Sequence, residues 1–259
     1  MVMRTEGTDK WVRGYVGATA VVDSRDALLF WEPSLPVPRY AFPQADVRTD
    51  LLRPSAAGPK TDFSFYGPHG PVSQWYDVVA GDRVVEHAAW VRDDPAISDR
   101  IVLTWEPGVL DRWLEEEEEV FAHPRDPHKR VEALASSRHV RVSLGGTVVA
   151  DSHSPVLLFE TDLPTRYYLP REDVRLDLLV STSNTSVCPY KGFAEEYWSL
   201  PGVEDGDNVA WSYAAPFPAV ARVKDRIAFY NEVVDITVDG VPHERPVSVF
   251  SAKANRPAT

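Results

Sequence analysis

Two stretches of this chain repeat one another, and the duplication constrains the fold more than any other feature of the sequence. Residues 17–40 match residues 145–168 at ten of 24 positions when the sequence is shifted by 128. The shift becomes 127 for residues 43–52 against 170–179, where seven of ten positions match. Two shorter matches follow: Ala89-Trp90 with Ala210-Trp211, and Asp99-Arg100-Ile101 with Asp225-Arg226-Ile227. We therefore expect two copies of one structural unit, with loop insertions where the shift changes.

The connection between the copies is polar and interrupted by proline. It reads His-Pro-Arg-Asp-Pro-His-Lys-Arg over residues 123–130, and proline disfavours helix in the residue before it. We predict a first repeat over 1–122, a linker over 123–138, a second repeat over 139–250 and a flexible tail over 251–259.

The local patterns within each copy are those of strands. Residues 139–144 alternate polar and apolar, and a Gly145-Gly146 turn leads into residues 147–150, which predicts a hairpin. Further strands are predicted at 156–160, 166–169 and 234–238, the last followed by an Asp-Gly turn. Residues 109–121 have helical propensity, but their counterpart in the second copy is a strand and turn, so we predict a hairpin there. The fold class is mainly β, two tandem small antiparallel domains with few short helices.

Composition excludes several classes of protein. The 259 residues carry a formal charge of −12, which argues against nucleic-acid binding because Lys and Arg supply affinity for phosphates. The absence of a long apolar run predicts no membrane span. One cysteine excludes an internal disulfide and a multi-cysteine zinc site. The first residues lack a signal-peptide pattern, so we expect a cytoplasmic protein. We also expect neither a metal nor a cofactor.

The copies differ in reactive groups at one place. Cys188 and Lys191 of the second copy stand where the first has Ser64 and Gly67. An ammonium favours the thiolate form of a neighbouring cysteine, which makes it a nucleophile. Lysine can also serve as an acid, an oxyanion partner or a carbonyl-capturing amine when its own pKa falls. The alternative is a small buried cysteine and a solvated lysine.

Other polar features are weaker candidates. The seven histidines form no metal-binding spacing, and only His153, which follows the repeated Asp-Ser pair, is noteworthy. The five glutamates at 115–119 are typical of a solvated surface, because alternate residues of a strand point to opposite sides. Aromatic residues are numerous in both copies, and they could form either the core or a pocket for a small organic ligand.

Several of these residues belong to a set of short motifs. The most specific element is Thr185-x-x-Cys188-Pro189-Tyr190-Lys191-Gly192. The other elements are Asp151-Ser152, Tyr168, Pro170 to Val174, Ala210 to Tyr213, Phe229-Tyr230 and, in the linker, His123 to Pro127. Together they resemble a known bacterial family, Domain of Unknown Function 427. The resemblance implies compact β domains similar to the β-tent fold of methionine sulfoxide reductase B, and it implies no established reaction. The first copy departs from the pattern at Ser64, Gly67 and Arg92, the last standing where Tyr213 does, and we interpret it as a degenerate half.

These observations leave two main hypotheses for function. The first is an enzyme acting on a small molecule of unknown identity, with Cys188 as nucleophile and Lys191 as its electrostatic partner. Tyr190, Tyr168 or Tyr213 would donate a proton, and Glu172 or Asp173 would act as general base. The second is a non-catalytic binding module with an aromatic pocket. Its ligand-binding residues would be Tyr168, Thr185, Trp211, Tyr213 and Tyr230. Neither hypothesis involves nucleic acid or membrane, and homo-oligomerisation is left open, as is a purely structural role.

Overall fold

The computed structural model describes residues 3–33, 35–56, 58 and 65–252. The chain divides into two compact units, residues 1–127 and 128–259. Ser64, which the sequence comparison placed opposite Cys188, lies outside the described residues, as does most of the predicted tail.

The first unit consists of eleven described strands. They are β1 (Arg4–Gly7), β2 (Val12–Val16), β3 (Thr19–Ser24), β4 (Leu28–Trp31), β5 (Arg39–Pro43), β6 (Leu52–Ser55), β7 (Val72–Ala80), β8 (Arg83–Arg92), β9 (Arg100–Leu103), β10 (Arg112–Glu115) and β11 (Glu118–Glu119). Two 3-10 helices lie between β5 and β6, at Gln44–Asp46 and Thr49–Leu51. The strands form a seven-stranded sheet in the order β1-β4-β5-β9-β8-β7-β6 and a four-stranded sheet in the order β11-β10-β2-β3.

The second unit repeats this arrangement. Its strands are β12 (Val131–Ala135), β13 (Val140–Leu144), β14 (Thr147–Ser152), β15 (Val156–Glu160), β16 (Arg166–Tyr168), β17 (Val180–Thr182), β18 (Ser186–Cys188), β19 (Gly192–Ala194), β20 (Glu196–Ser199), β21 (Ala210–Ser212), β22 (Ile227–Phe229), β23 (Asp235–Val238) and β24 (Val241–His243). Its 3-10 helices span Arg171–Asp173, Leu176–Leu178, Pro218–Val223 and Val249–Ser251.

The sheets of the second unit correspond to those of the first. The order β14-β13-β23-β24 matches β3-β2-β10-β11, and β12-β15-β16 and β17-β20-β21-β22 match the two ends of the seven-stranded sheet. A single bridge between Leu169 and Ile227 joins those two pieces. The hairpin β18-β19 is additional. All the described strand pairs are antiparallel, which confirms the mainly β fold class, and no described helix is long and apolar enough to cross a membrane.

Strand formation follows from the alternation of side chains. In β13, Val140, Val142 and Leu144 are buried while Arg141 is exposed, as the period-two pattern predicts. The predicted hairpins at 139–150 and at Asp239-Gly240 are confirmed. The segment with helical propensity, 109–121, is also a hairpin, because β10 pairs with β11 and buries Trp113 and Leu114 against the core.

Two details of the sequence alignment are corrected by the structure. Residues 131–135 were predicted to be linker, but they form strand β12, since their backbone pairs with β15. In the strand register, Phe30 lies opposite Arg39 and Leu158 lies opposite Arg166. The shift of 127 therefore begins at residue 39, so that Arg39 corresponds to Arg166 and Tyr40 to Tyr167 instead of Tyr168.

Candidate functional site

The predicted Cys-Pro-Tyr-Lys-Gly segment forms the turn of the β18-β19 hairpin. Cys188 ends β18 and pairs with Gly192, and the Lys191 amide donates a hydrogen bond of 3.3 Å to the Cys188 carbonyl oxygen. Gly192 has φ +100°, and a Cβ there would lie 3.4 Å from the Ala215 carbonyl oxygen. Because L side chains rarely adopt that conformation, glycine is required for this turn. The Phe217 amide in turn donates to the Lys191 carbonyl oxygen at 3.0 Å, which fixes the hairpin on the unit.

Strand alternation sets the direction of the Cys188 side chain. Ser186 and Cys188 lie on one side of β18, and Val187, which is 40% exposed, lies on the other. The Ser186 hydroxyl is joined to the Tyr197 hydroxyl by a hydrogen bond of 2.6 Å, and Tyr197 is buried. The face of β18 that carries Cys188 therefore faces the interior, while Cys188 itself remains partly exposed.

Lys191 is a largely buried cation. Its side chain is 13% exposed, and its Nζ forms an ion pair with Glu160, whose side chain is 7% exposed. Burial by itself favours the neutral amine, but the neighbouring Cys188 and Glu160 act in the opposite direction and outweigh it, so that the pKa of Lys191 is raised above its ordinary value. Lys191 is thus an ammonium at neutral pH. A protonated Lys191 suits the roles of acid, oxyanion partner or electrostatic partner better than that of a neutral, carbonyl-capturing amine.

Four buried tyrosines form a cluster next to Lys191. Tyr168 and Tyr197 interact electrostatically with Lys191, and the other two interact with Tyr168 and Tyr197. Burial raises the pKa of Tyr168 to about 12, although Lys191 and Trp211 act in the opposite direction. Burial also raises the pKa values of Tyr197, Tyr213 and Tyr230. All four phenols are neutral at pH 7, so they can donate hydrogen bonds to a developing negative charge but cannot serve as bases.

Aromatic contacts hold these rings in place. Trp211 Nε1 donates a hydrogen bond of 3.2 Å to the Tyr168 hydroxyl, and the Trp211 ring lies 4.5 Å from that of Tyr230 between centroids. The guanidinium of Arg166 lies 5.8 Å from the Trp211 ring and 5.6 Å from the Tyr230 ring. Arg166 also makes a bidentate ion pair with the fully buried side chain of Glu232, at 2.6 and 2.8 Å. Such a pair fixes the guanidinium plane that the two rings contact.

The structure assembles part of the predicted site and replaces another part. Lys191 and Tyr213 each interact electrostatically with Cys188 and Tyr168. Tyr190, which is half-buried, lies in the turn between Cys188 and Lys191. Thr185 is exposed in the loop before β18.

The two predicted general bases, Glu172 and Asp173, lie on the 3-10 helix Arg171–Asp173. Glu172 is exposed. Asp173 accepts a hydrogen bond of 2.6 Å from the Ser152 hydroxyl, and in the first unit Asp46 accepts the same bond from Ser24. Because the interaction recurs in the unit that lacks the cysteine, it is structural. The carboxylate that acts on Lys191 and Tyr213 is Glu160.

The equivalent place in the first unit holds a different set of charges. The side chain of Glu32, at the position of Glu160, is 1% exposed and lies 3.1 Å from both Arg39 and Arg92. Burial is the largest influence on Arg39 and lowers its pKa to about 10, so it remains charged at pH 7. Gly67 stands at the position of Lys191, and Arg92 at that of Tyr213. Both units thus bury a carboxylate at this position. In the first unit its partners are the strand residues Arg39 and Arg92, and in the second unit its partner is Lys191 of the hairpin turn.

Within the described residues, no group of three or more His, Cys, Asp and Glu side chains is arranged so that it could hold a metal ion. His153, singled out in the sequence, stacks on His139 with ring centroids 4.1 Å apart, and His139 Nε2 lies 2.6 Å from Asp151. The same positions of the first unit hold Trp11, hydrogen-bonded to Asp23 at 2.6 Å, and Arg25 stacked on it. This local stack is therefore a feature of the hairpin in both units.

The fold and the site define a β protein of two homologous units, of which only the second carries a cysteine and a lysine at a buried tyrosine cluster. A family model described as Domain of unknown function (DUF427) matches residues 4–106 and again residues 132–240. The chain belongs to this family and contains its domain twice. No curated protein is similar enough in sequence to match the chain.

Proposed function

We propose that the second unit is a thiol-dependent enzyme acting on a small molecule, with Cys188 as the nucleophile and Lys191 as its cationic partner. The observation that carries the proposal is the largely buried Lys191, which forms an ion pair with Glu160 and belongs to the same hairpin turn as Cys188. Attraction to an adjacent ammonium stabilises a thiolate, and thiolates are the reactive form of cysteine.

The surrounding groups suit addition to an electrophilic carbon. The sulfur would form a bond to that carbon, and the electron pair of the attacked double bond would move onto its oxygen or nitrogen. A neutral Tyr168 or Tyr213, or the Lys191 ammonium, would stabilise that charge by hydrogen bonding. Because their pKa values are raised, the tyrosines stay protonated and can play this part at neutral pH.

Selective alkylation tests the nucleophile. Cys188 is the only cysteine of the chain, so the mass added by iodoacetamide reports one site. We expect Lys191→Met to slow the reaction at pH 6 by about tenfold, because the thiolate loses its cation. Lys10→Met is the matched control, since Lys10 pairs with the buried Glu115 at 2.6 Å in the first unit and should leave the rate unchanged.

A folding defect must be separated from a loss of activation. Lys191→Met leaves Glu160 without a cation, so the double variant Lys191→Met/Glu160→Gln is measured as well, because it removes both charges. Slow alkylation in both variants, with native circular dichroism in the double variant, supports the proposal. Wild-type rates in the folded double variant refute it.

A binding module remains the second candidate, favoured by the aromatic content of the cluster. Trp211 and Tyr230 are in ring contact and Tyr168 is fully buried, which is typical of a rigid wall for a flat ligand. Native mass spectrometry for a co-purifying small molecule distinguishes the two. Retention of such a molecule by Cys188→Ser favours binding alone, and its loss together with a covalent adduct in the wild type favours the enzyme.

A further inference from the structure

A groove lies in the second unit, away from the cysteine. Its volume is about 510 Å³, which is the size of known small-molecule sites. Leu157, Phe159 and Tyr167 line it, and they alternate along β15 and β16 with Leu158, Arg166 and Tyr168. Since successive strand residues point to opposite faces, the groove occupies the face of this sheet opposite to the tyrosine cluster.

The walls of the groove are apolar and partly uncovered. Leu134 is 45% exposed and Phe159 is 40% exposed, and Val234, Ile236 and Pro246 contribute further apolar surface. Large exposed apolar side chains gathered in a concave surface are typical of a binding site.

One end of the groove provides for a negative charge. Arg138 lines it, its side chain is 57% exposed, and its nearest carboxylate, Asp239, is 4.0 Å away. Arg138 acts electrostatically on Tyr167, whose pKa is raised by burial, so the two side chains are neighbours and Tyr167 is a neutral phenol. The Tyr167 hydroxyl makes no hydrogen bond to any residue that the structure describes. Glu244 is the only carboxylate among the lining residues.

Asn231 contributes an unused acceptor. It is 7% exposed, its Nδ2 donates a hydrogen bond of 2.7 Å to the Thr165 carbonyl oxygen, and that bond fixes the orientation of the amide. Asn231 Oδ1 is buried without a hydrogen-bond partner in the described part of the chain. A buried acceptor left unpaired costs about 1–3 kcal/mol, and a ligand N–H or O–H at this point would remove that cost.

We propose that this groove binds a small organic anion with a flat apolar body, a carboxylate at the Arg138 end and a hydrogen-bond donor directed to Asn231. The apolar walls contact the body of the ligand, Arg138 and Tyr167 bind its carboxylate, and Asn231 selects for the donor. This site is separate from the Cys188 centre, since none of its lining residues belongs to the tyrosine, lysine and cysteine cluster.

Isothermal titration with indole-3-propionate tests the proposal, since this probe has a flat apolar body, a carboxylate and an N–H. We expect saturable binding with one probe per chain, and a Kd about tenfold higher for Arg138→Gln, since a charge-assisted hydrogen bond is lost. Arg130→Gln is the matched control, because Arg130 is exposed, pairs with Glu132 and does not line the groove. The N-methylated indole, which has no donor, should bind the wild type about tenfold more weakly.

The outcomes separate this site from the proposed enzyme centre. The groove is supported if wild type and Cys188→Ser bind indole-3-propionate with equal affinity and only Arg138→Gln binds it more weakly. This result does not depend on whether Cys188 is reactive. Absence of saturable binding at millimolar probe, equal affinity of the Arg138 and Arg130 variants, or loss of binding in Cys188→Ser overturns it.

Discussion

Removing one partner of the ion pair between Lys191 and Glu160 should destabilise the second unit, and taking the two charges away one at a time is a quantitative test. Both side chains are largely buried, at 13% and 7% exposure. Two unit charges about 4 Å apart attract by about 4 kcal/mol at an effective dielectric constant near 20, and removing one partner of a buried pair costs about 3–5 kcal/mol. Since each side chain retains some contact with water, we expect Lys191→Met to lower the free energy of unfolding of the second unit by about 3 kcal/mol.

The double variant gives the coupling energy. Lys191→Met/Glu160→Gln leaves neither charge of this pair unpartnered, so its loss of unfolding free energy should be about 1 kcal/mol, well below the sum of the single losses. Hydrogen exchange of the amides in β13 and β23 measures the free energy of unfolding of this unit alone, which is needed because two units need not unfold together. Additive losses would refute the assignment of Lys191 and Glu160 as an interacting buried pair.

The pH dependence of that stability has a definite sign. Because the pKa of Lys191 is raised in the folded protein, its contribution is complete below the ordinary lysine value of about 10.4 and is lost as pH rises above it. The difference in stability between wild type and Lys191→Met should therefore decrease as the pH rises above about 10.

Two further predictions concern the same cluster. Gly192→Ala should destabilise the second unit by about 1–3 kcal/mol. The control is Gly7→Ala, where nothing lies within 4 Å of the added methyl group, and it should change stability by less than about 1 kcal/mol. Equal effects of the two substitutions in thermal melts would contradict the role assigned to the turn. In an absorbance titration at 295 nm, Tyr168 should ionise near pH 12, together with the other buried tyrosines. Because the tyrosines of the unfolded chain ionise from about pH 10, the free energy of unfolding should fall as the pH rises above 10. Uniform titration of all the tyrosines near pH 10 in the folded protein would contradict the buried cluster.

Much of the fold is predictable because the duplication adds information that a single copy lacks. Residues 109–121 have the composition of a helix, and only their counterpart at 233–238 identifies them as a hairpin. Glycine turns and alternating apolar residues identify β13, β14, β23 and β24, since these strands bury one face each. Strand β12 was missed because the proline-rich stretch before it extends the polar pattern of the linker.

The site is predictable where a residue differs between the copies, and less so where it is shared. Cys188 and Lys191 were found by that difference. Glu160 matches Glu32 in the alignment, but a shared glutamate at a strand end gives no indication that its side chain is buried. Arg166 corresponds to Arg39 only at a shift of 127, which the strand register establishes. Glu172, a predicted general base, is exposed on its 3-10 helix, and the strand pattern around it does not predict that exposure.

The first unit shows what the fold itself requires. It keeps a buried glutamate, Glu32, and neutralises it with Arg39 and Arg92, so a carboxylate at this place does not by itself indicate chemistry. What distinguishes the second unit is that its cation belongs to the same turn as a cysteine.

The most direct measurement of the central claim is the iodoacetamide reaction of Cys188 in the native chain at pH 6, compared with the same chain unfolded in urea. Unfolding separates the Lys191 ammonium from Cys188, while the reacting group is still the same cysteine. The account predicts that the native protein reacts faster, despite its partly buried sulfur. A native rate below that of the unfolded chain would show that Lys191 does not activate Cys188.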